Sequence, residues 1–141
     1  MQPGNADVRT ILVIDDEPHI THVVALKLRH AGFEVLTAGD GEEGYEVACE
    51  ASPDLIITDV QMPYMTGVEM CQRLSANPPT ASIPVLVLTA RGYALSPEDT
   101  ARTSIRGMIS KPFSPREILD RVQQIFGEDD SAPGAIERDA A

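Results

Sequence analysis

Acids, hydroxyls and a lysine stand where short apolar runs of the chain end. Asp15, Asp16 and Glu17 follow the run Ile11-Leu12-Val13-Ile14; Thr58 and Asp59 follow Leu55-Ile56-Ile57. Thr89 and Ala90 follow Val85-Leu86-Val87-Leu88, and Ser110-Lys111-Pro112 follows the weaker run Gly107-Met108-Ile109. Carboxylates gathered in one place repel each other, and burying them together is costly unless they take up protons or something neutralises them. A divalent cation resolves that conflict, and hard oxygen ligands with room for water suit magnesium. A hydroxyl and an ammonium group beside such a cation complete what phosphoryl transfer requires, namely positioned charge and donors for the phosphoryl oxygens. An aspartate can itself be the nucleophile and form an acyl phosphate. No glycine-rich phosphate loop follows the first run, so a bound nucleotide is not the expected phosphoryl source, and no calcium loop of the EF-hand type is present.

Each residue alone has an ordinary role: an acid after a strand caps the next helix, a threonine bonds locally, a lysine is solvated. What makes the set informative is the elements that carry it. The apolar runs are short, rich in β-branched residues and bounded by charge, as strands buried on both faces are. A further strand, residues 33–37, follows Gly32, which is placed to end a helix. Helical patterns lie between the strands. Pro18 opens one carrying Ile20, Val23, Val24 and Leu28; Asp40-Gly41-Glu42-Glu43 and Thr66-Gly67-Val68-Glu69 start two more. Ser114-Pro115-Arg116-Glu117 is a capping box leading into the stripe Ile118, Leu119, Val122, Ile125 and Phe126. Ser96-Pro97-Glu98-Asp99 starts a fourth helix, expected to be short because Thr100, Thr103, Ser104 and Ile105 are poor helix formers. Strand and helix thus alternate five times, which predicts an α/β doubly wound fold with a parallel sheet covered on both faces. In such a sheet ligands bind beyond the carboxyl ends of the strands, where the acids, hydroxyls and lysine stand.

The 141 residues make one domain. Residues 1–8 read as a flexible lead-in, 9–126 as the folded domain, and 127–141 as an acidic disordered tail. Eleven basic against 22 acidic residues give a formal charge of -11, which opposes binding to a nucleic-acid backbone. Aromatic residues are only 4% and there is no Trp, so a base-stacking platform is lacking as well. No apolar run reaches the length of a membrane span and no signal peptide is visible, so a cytoplasmic protein is expected, without nucleic-acid or membrane partners. Cys49 and Cys71 share no metal-ligand spacing, and His19 and His22 read as a solvated pair. The one mildly basic stretch runs through Arg91, Arg102, Arg106, Lys111, Arg116 and Arg121.

From about Arg9 to Phe126 the chain resembles the receiver domain of bacterial two-component response regulators, of the stand-alone kind. The motifs that carry the resemblance are Ile11-Leu12-Val13-Ile14-Asp15-Asp16-Glu17-Pro18, Pro53-Asp54 through Thr58-Asp59-Val60-Gln61-Met62-Pro63 with Gly67, Val85 through Thr89-Ala90, and Ser110-Lys111-Pro112-Phe113. The resemblance implies a flavodoxin-like sheet of order 2-1-3-4-5 and phosphorylation of Asp59 by the phosphohistidine of a sensor histidine kinase or a histidine phosphotransfer protein. It implies Mg2+ held by Asp16, Asp59 and the backbone carbonyl of Gln61, with Asp15 helping through water. Lys111 would pair with the aspartate and then with the phosphoryl group, and Thr89 would donate its hydroxyl to a phosphoryl oxygen. The bond before Pro112 would be cis, aiming Lys111 into the site. Gln61 and Arg91 would tune dephosphorylation.

Two departures from the family pattern stand out. Met108 occupies the place of the usual switch aromatic, with Tyr93 nearby as a possible but weak substitute, and the ordinary small-residue ending of the fourth helix is replaced by Thr103-Ser104-Ile105-Arg106-Gly107. The face made by the fourth helix, fifth strand and fifth helix, where family members dock effectors or form homodimers, coincides with the basic stretch. No output module fits after Phe126, so output is expected to pass through a partner or a continuation of the chain. A magnesium-dependent phosphohydrolase would use the same acyl-phosphate chemistry, but it needs an acid two residues after the nucleophile, where Gln61 stands. An adaptor that is never phosphorylated is the other alternative, and retention of Asp15, Asp16, Asp59, Thr89 and Lys111 speaks against it. The protein is thus expected to catalyse only its own phosphorylation and dephosphorylation, not to act as an enzyme on a foreign substrate.

Overall fold

Five strands pair in parallel in the order β2-β1-β3-β4-β5: β1 Thr10–Ile14, β2 Glu34–Ala38, β3 Leu55–Asp59, β4 Val85–Thr89 and β5 Ile105–Ser110. The helices between and after them are α1 Pro18–His30, α2 Gly41–Ala51, α3 Gly67–Ala76, α4 Pro97–Arg102 and α5 Pro115–Asp130. The structure, a computed structural model, describes residues 8–62, 64–90 and 96–130, without the side chains of 99, 100, 102, 129 and 130. Arg91 and Tyr93, most of the expected lead-in and residues 131–141 of the expected tail lie outside the described residues.

Alternation along each strand sorts the apolar side chains into two cores, one on each face of the sheet. Ile11, Val13, Leu55, Ile57, Leu86 and Leu88 face α1 and α5, meeting Val24, Leu28, Ile118, Val122 and Ile125. Leu12, Ile14, Ile56, Val85 and Val87 face the other way, onto Ala48, Met70, Cys71 and Leu74 of α2 and α3. The central strands β3 and β4 are buried at every position, as the unbroken apolar runs predict. On α1 the buried stripe is Val24, Ala25 and Leu28, while Val23 is 43% exposed and does not join the core.

The sheet has one irregularity. Val85 pairs with Ile105, but Leu86 pairs with Gly107, so Arg106 is an extra residue in β5 and the register slips by one. Ile105 therefore faces α2 and α3 while Ile109, four residues on, faces α1 and α5. In a regular strand residues four apart share a face.

Local chemistry sets the helix starts. Thr66 Oγ1 accepts from the N–H of Glu69 at 3.1 Å and Glu69 Oε1 accepts from the N–H of Thr66 at 2.9 Å, a complete capping box. Asp40 Oδ1 accepts from the N–H of Glu43 at 2.8 Å, and Ser114 Oγ from that of Glu117 at 3.1 Å. Such caps each contribute about 1 kcal/mol. The fourth helix stops at Arg102, as its composition predicts. Just beyond it the Ser104 hydroxyl donates to the carbonyl of Ala81 at 2.6 Å, a side-chain bond outside the helix that ties the chain down before β5. The last helix goes further than the sequence boundary at Phe126: it passes through Gly127, where an added Cβ would meet nothing within 4 Å, and ends at Asp130.

Candidate functional site

The carboxyl ends of β1, β3, β4 and β5 bring the candidate residues together. Asp15 follows β1 and is 1% exposed; Asp59 closes β3 at 5%; Thr89 closes β4 and is fully buried. One oxygen each of Asp15, Asp16 and Asp59 lies within 4.8 Å of the others. Lys111, just after β5, reaches Asp59 Oδ1 at 3.4 Å and Asp15 Oδ2 at 3.6 Å.

Each side chain is placed by its backbone. The N–H of Asp15 donates to the carbonyl of Ala38 at the end of β2, and Asp15 Oδ1 accepts from the N–H of Glu17 at 2.9 Å. The N–H of Lys111 donates to the carbonyl of Thr89 at 2.7 Å, and the peptide bond between Lys111 and Pro112 is cis, as expected. Among the described residues the Thr89 hydroxyl makes a long bond, 3.3 Å, to the carbonyl of Ala90. Gln61 is exposed after β3, with its N–H directed to the Asp59 carboxylate. Met108 is half-buried in β5 and packs against the α2/α3 core.

The electrostatics are unbalanced. Burial raises the Asp15 carboxyl above its ordinary range against the opposing N–H of Glu17, and the charge of Asp59 adds to the rise. Burial likewise raises Asp59; Lys111 opposes this and Asp16 adds to it. Burial of Lys111 would pull its ammonium down, but Asp15, Asp59 and Glu17 together outweigh that and raise it. Asp15 Oδ2 is buried without a hydrogen-bond partner. An orphaned carboxylate oxygen beside two more acids, with a single nearby ammonium among the described residues, is a donor set that fits a hard divalent cation.

Two contributors were not assigned a role from the sequence. Glu17 places Oε1 3.6 Å from Lys111 Nζ. No pattern in the sequence marks this reach, which depends on Glu17 holding the N-cap of α1 without capping it. Gly67 lies directly against the Asp59 carbonyl: a Cβ there would overlap that oxygen and crowd the Val60 Cα at 3.1 Å.

A five-stranded doubly wound domain with an acidic pocket and a lysine at its carboxyl edge is the class of protein this defines. Residues 11–123 match the response regulator receiver domain, and the chain belongs to that family, whose members are phosphoacceptors in two-component signalling. It is 38% identical over 125 residues to the DNA-binding dual master transcriptional regulator RpaA of Synechocystis sp., covering 89% of this chain and 52% of the relative. It is 35% identical over 118 residues to the phosphate regulon transcriptional regulatory protein PhoB of Pseudomonas aeruginosa, covering 84% and 52%. The chain thus spans about half the length of these relatives. Among solved structures, chemotaxis response regulator CheY4 of Vibrio cholerae superposes with a TM-score of 0.77 at 33% identity, covering 84% of this chain and 98% of that one. A putative response regulator from Chloroflexus aurantiacus gives the same TM-score and identity, with 85% and 98% covered. Among the described residues no helix is long and apolar enough to cross a membrane.

Proposed function

We propose that Asp59 is the phosphoacceptor and that Asp15, Asp16 and Asp59, with the backbone carbonyl of Gln61, hold a magnesium ion. The observation that carries the reading is the ammonium of Lys111 shared between Asp59 and Asp15, one of whose oxygens is buried and otherwise unpartnered. When bound, magnesium supplies positive charge to the oxygens of the group being transferred. The Asp59 carboxylate attacks phosphorus as the bond to the donor nitrogen of a phosphohistidine breaks; the phosphoryl group moves to Asp59 and the imidazole is released. Lys111 then turns from the carboxylate to a phosphoryl oxygen. Thr89 is suited to donate a second hydrogen bond, because its bond to the Ala90 carbonyl is long and easily exchanged.

The donor is a sensor histidine kinase or a histidine phosphotransfer protein, and the same reading puts the domain in the cytoplasm. Gln61, exposed two residues after Asp59, borders the path of the water that ends the phosphorylated state and tunes that rate together with Arg91. The output surface is the α4, β5 and α5 face, where an effector or a second copy docks. Its support is the brevity of α4 and the basic side chains of β5 and α5, including Arg121, which donates to the Met108 carbonyl at 3.5 Å. No foreign substrate is turned over in this scheme.

Incubation with acetyl phosphate and magnesium, followed by intact-mass measurement, tests the reading. A gain of one phosphoryl group, absent in Asp59→Asn, is expected. No gain with any phosphodonor favours the unphosphorylated adaptor, and steady turnover of a phosphomonoester favours a hydrolase.

A further inference from the structure

Among the described residues Lys111 has three anionic neighbours, of which two belong to the metal cluster. Its Nζ lies 3.4 Å from Asp59 Oδ1, 3.6 Å from Asp15 Oδ2 and 3.6 Å from Glu17 Oε1. None of these is a short charge-assisted hydrogen bond, which would measure about 2.7–2.9 Å, so the ammonium is suspended among three carboxylates. The Lys111 backbone is fixed by its 2.7 Å bond to the Thr89 carbonyl, so the ammonium is redistributed by side-chain rotation alone.

Glu17 is unlike the other two. Its side chain is 51% exposed, whereas that of Asp15 is fully buried and that of Asp59 7% exposed. Its backbone is held on both sides: the N–H donates to Asp15 Oδ1, and the carbonyl accepts from the N–H groups of Ile20 and Thr21 at 3.0 and 3.3 Å. It occupies the N-cap of α1, where Ser, Thr, Asp or Asn would bond to the first turn, and it makes no such bond. The carboxylate instead points over the site to Lys111.

We propose that Glu17 is a positioning residue that competes with the incoming phosphoryl group for the Lys111 ammonium. The inference rests on the phosphoacceptor reading of Asp59 and adds a control on its rate. Before transfer, Glu17 draws Lys111 outward, so the lysine is shared and incompletely committed to Asp59. During transfer negative charge builds on the phosphoryl oxygens, and Lys111 must give up Glu17 to meet it. Glu17, exposed and able to return to solvent, is the carboxylate that lets go.

The test compares Glu17→Gln with Glu42→Gln, an exposed acid on α2 at the same edge of the sheet for which no bond to Lys111 is seen. Lys27 and Lys111 are the only lysines in the chain, so two side-chain ammonium resonances are followed by 15N NMR in metal-free protein, Lys27 serving as the reference. Glu17→Gln should shift the Lys111 resonance and leave Lys27 in place; Glu42→Gln should move neither. With acetyl phosphate and saturating magnesium, Glu17→Gln should raise the limiting phosphorylation rate by roughly twofold to fivefold, the size of one partly exposed ion pair. The half-saturating donor concentration should stay unchanged. A general loss of negative field would speed Glu42→Gln as well and lower that concentration, and this result overturns the proposal. An unmoved Lys111 resonance in Glu17→Gln, or a shifted resonance with an unchanged or slower rate, overturns it too. Failure of the phosphoacceptor reading is distinguishable, because wild-type protein itself would then take up no phosphoryl group whatever the resonances show.

Discussion

Gly67, the first residue of α3, sits against the carbonyl of Asp59 so closely that no side chain fits between them. Its N–H donates to the Val60 carbonyl at 2.8 Å, so α3 begins by clamping the segment that follows Asp59. Helix α3 thereby supports the position of Asp59.

Substituting Gly67→Ala forces a methyl group into backbone atoms, which cannot rotate aside. The cost should be about 1–3 kcal/mol, the usual range for overpacking. Urea denaturation should show a lower midpoint, and acetyl phosphate should label Asp59 more slowly. A midpoint equal to wild type would show that the strand end yields.

Rising pH, not acidity, should weaken metal-free protein at this site. Asp59 has a folded-state pKa above its ordinary 3.8, raised mainly by burial, and Asp15 is raised as well. A raised carboxyl keeps its proton longer in the folded chain than in the unfolded one. Its contribution to stability is therefore greatest below about pH 4 and is lost as pH rises through the folded pKa. The Lys111 ammonium, also raised, contributes fully at neutral pH and is lost only in strong alkali. In chelator, Asp59→Asn should thus gain stability relative to wild type between pH 4 and 7. Denaturation midpoints of the two proteins across that range check this; a gap that shrinks with rising pH would reverse the assigned sign.

Magnesium should remove the same penalty. At about 100 times its dissociation constant a ligand that binds only the folded state stabilises by about 2.7 kcal/mol. The thermal midpoint of wild type should rise with magnesium, and that of Asp15→Asn or Asp59→Asn should rise much less. Equal shifts in all three proteins would place the ion elsewhere.

The two thiols should differ in reactivity. Cys71 is buried on α3 and its thiol is pushed up to about 12 by that burial, whereas Cys49 is exposed. Iodoacetamide at neutral pH should label Cys49 in native protein and reach Cys71 only on unfolding. Peptide mapping of the alkylated chain reads both sites.

Much of this arrangement was legible in residue order. The apolar runs marked the strands, their alternation with capped helices implied the parallel sheet, and the residues after the runs proved to be the ones that meet. Three features were not legible, each for a physical reason. Strand β2 starts at Glu34, because the N–H of Phe33 is taken by the Leu28 carbonyl at the end of α1 at 3.1 Å, while its ring meets Phe126 of α5, centroids 5.6 Å apart, 93 positions along the chain. The continuation of α5 through Gly127 goes against local propensity, which marks glycine as a helix ender. The reach of Glu17 to Lys111 joins residues 94 positions apart and depends on a side chain leaving the helix cap unmade.

The extra residue at Arg106 acts as a phase setter for the site. Because β5 takes up one residue more than β4, Ser110 stands level with Thr89, and Lys111 follows at the height where its N–H meets the Thr89 carbonyl. Were Arg106 paired with Leu86 in an unbroken ladder instead, every side chain after Ile105 would fall on the opposite side of the sheet. Ile109 would exchange one core for the other, and the ammonium would arrive out of step with the carboxylates. The site is therefore timed from the far end of the strand, by the one extra residue that β5 takes up at Arg106.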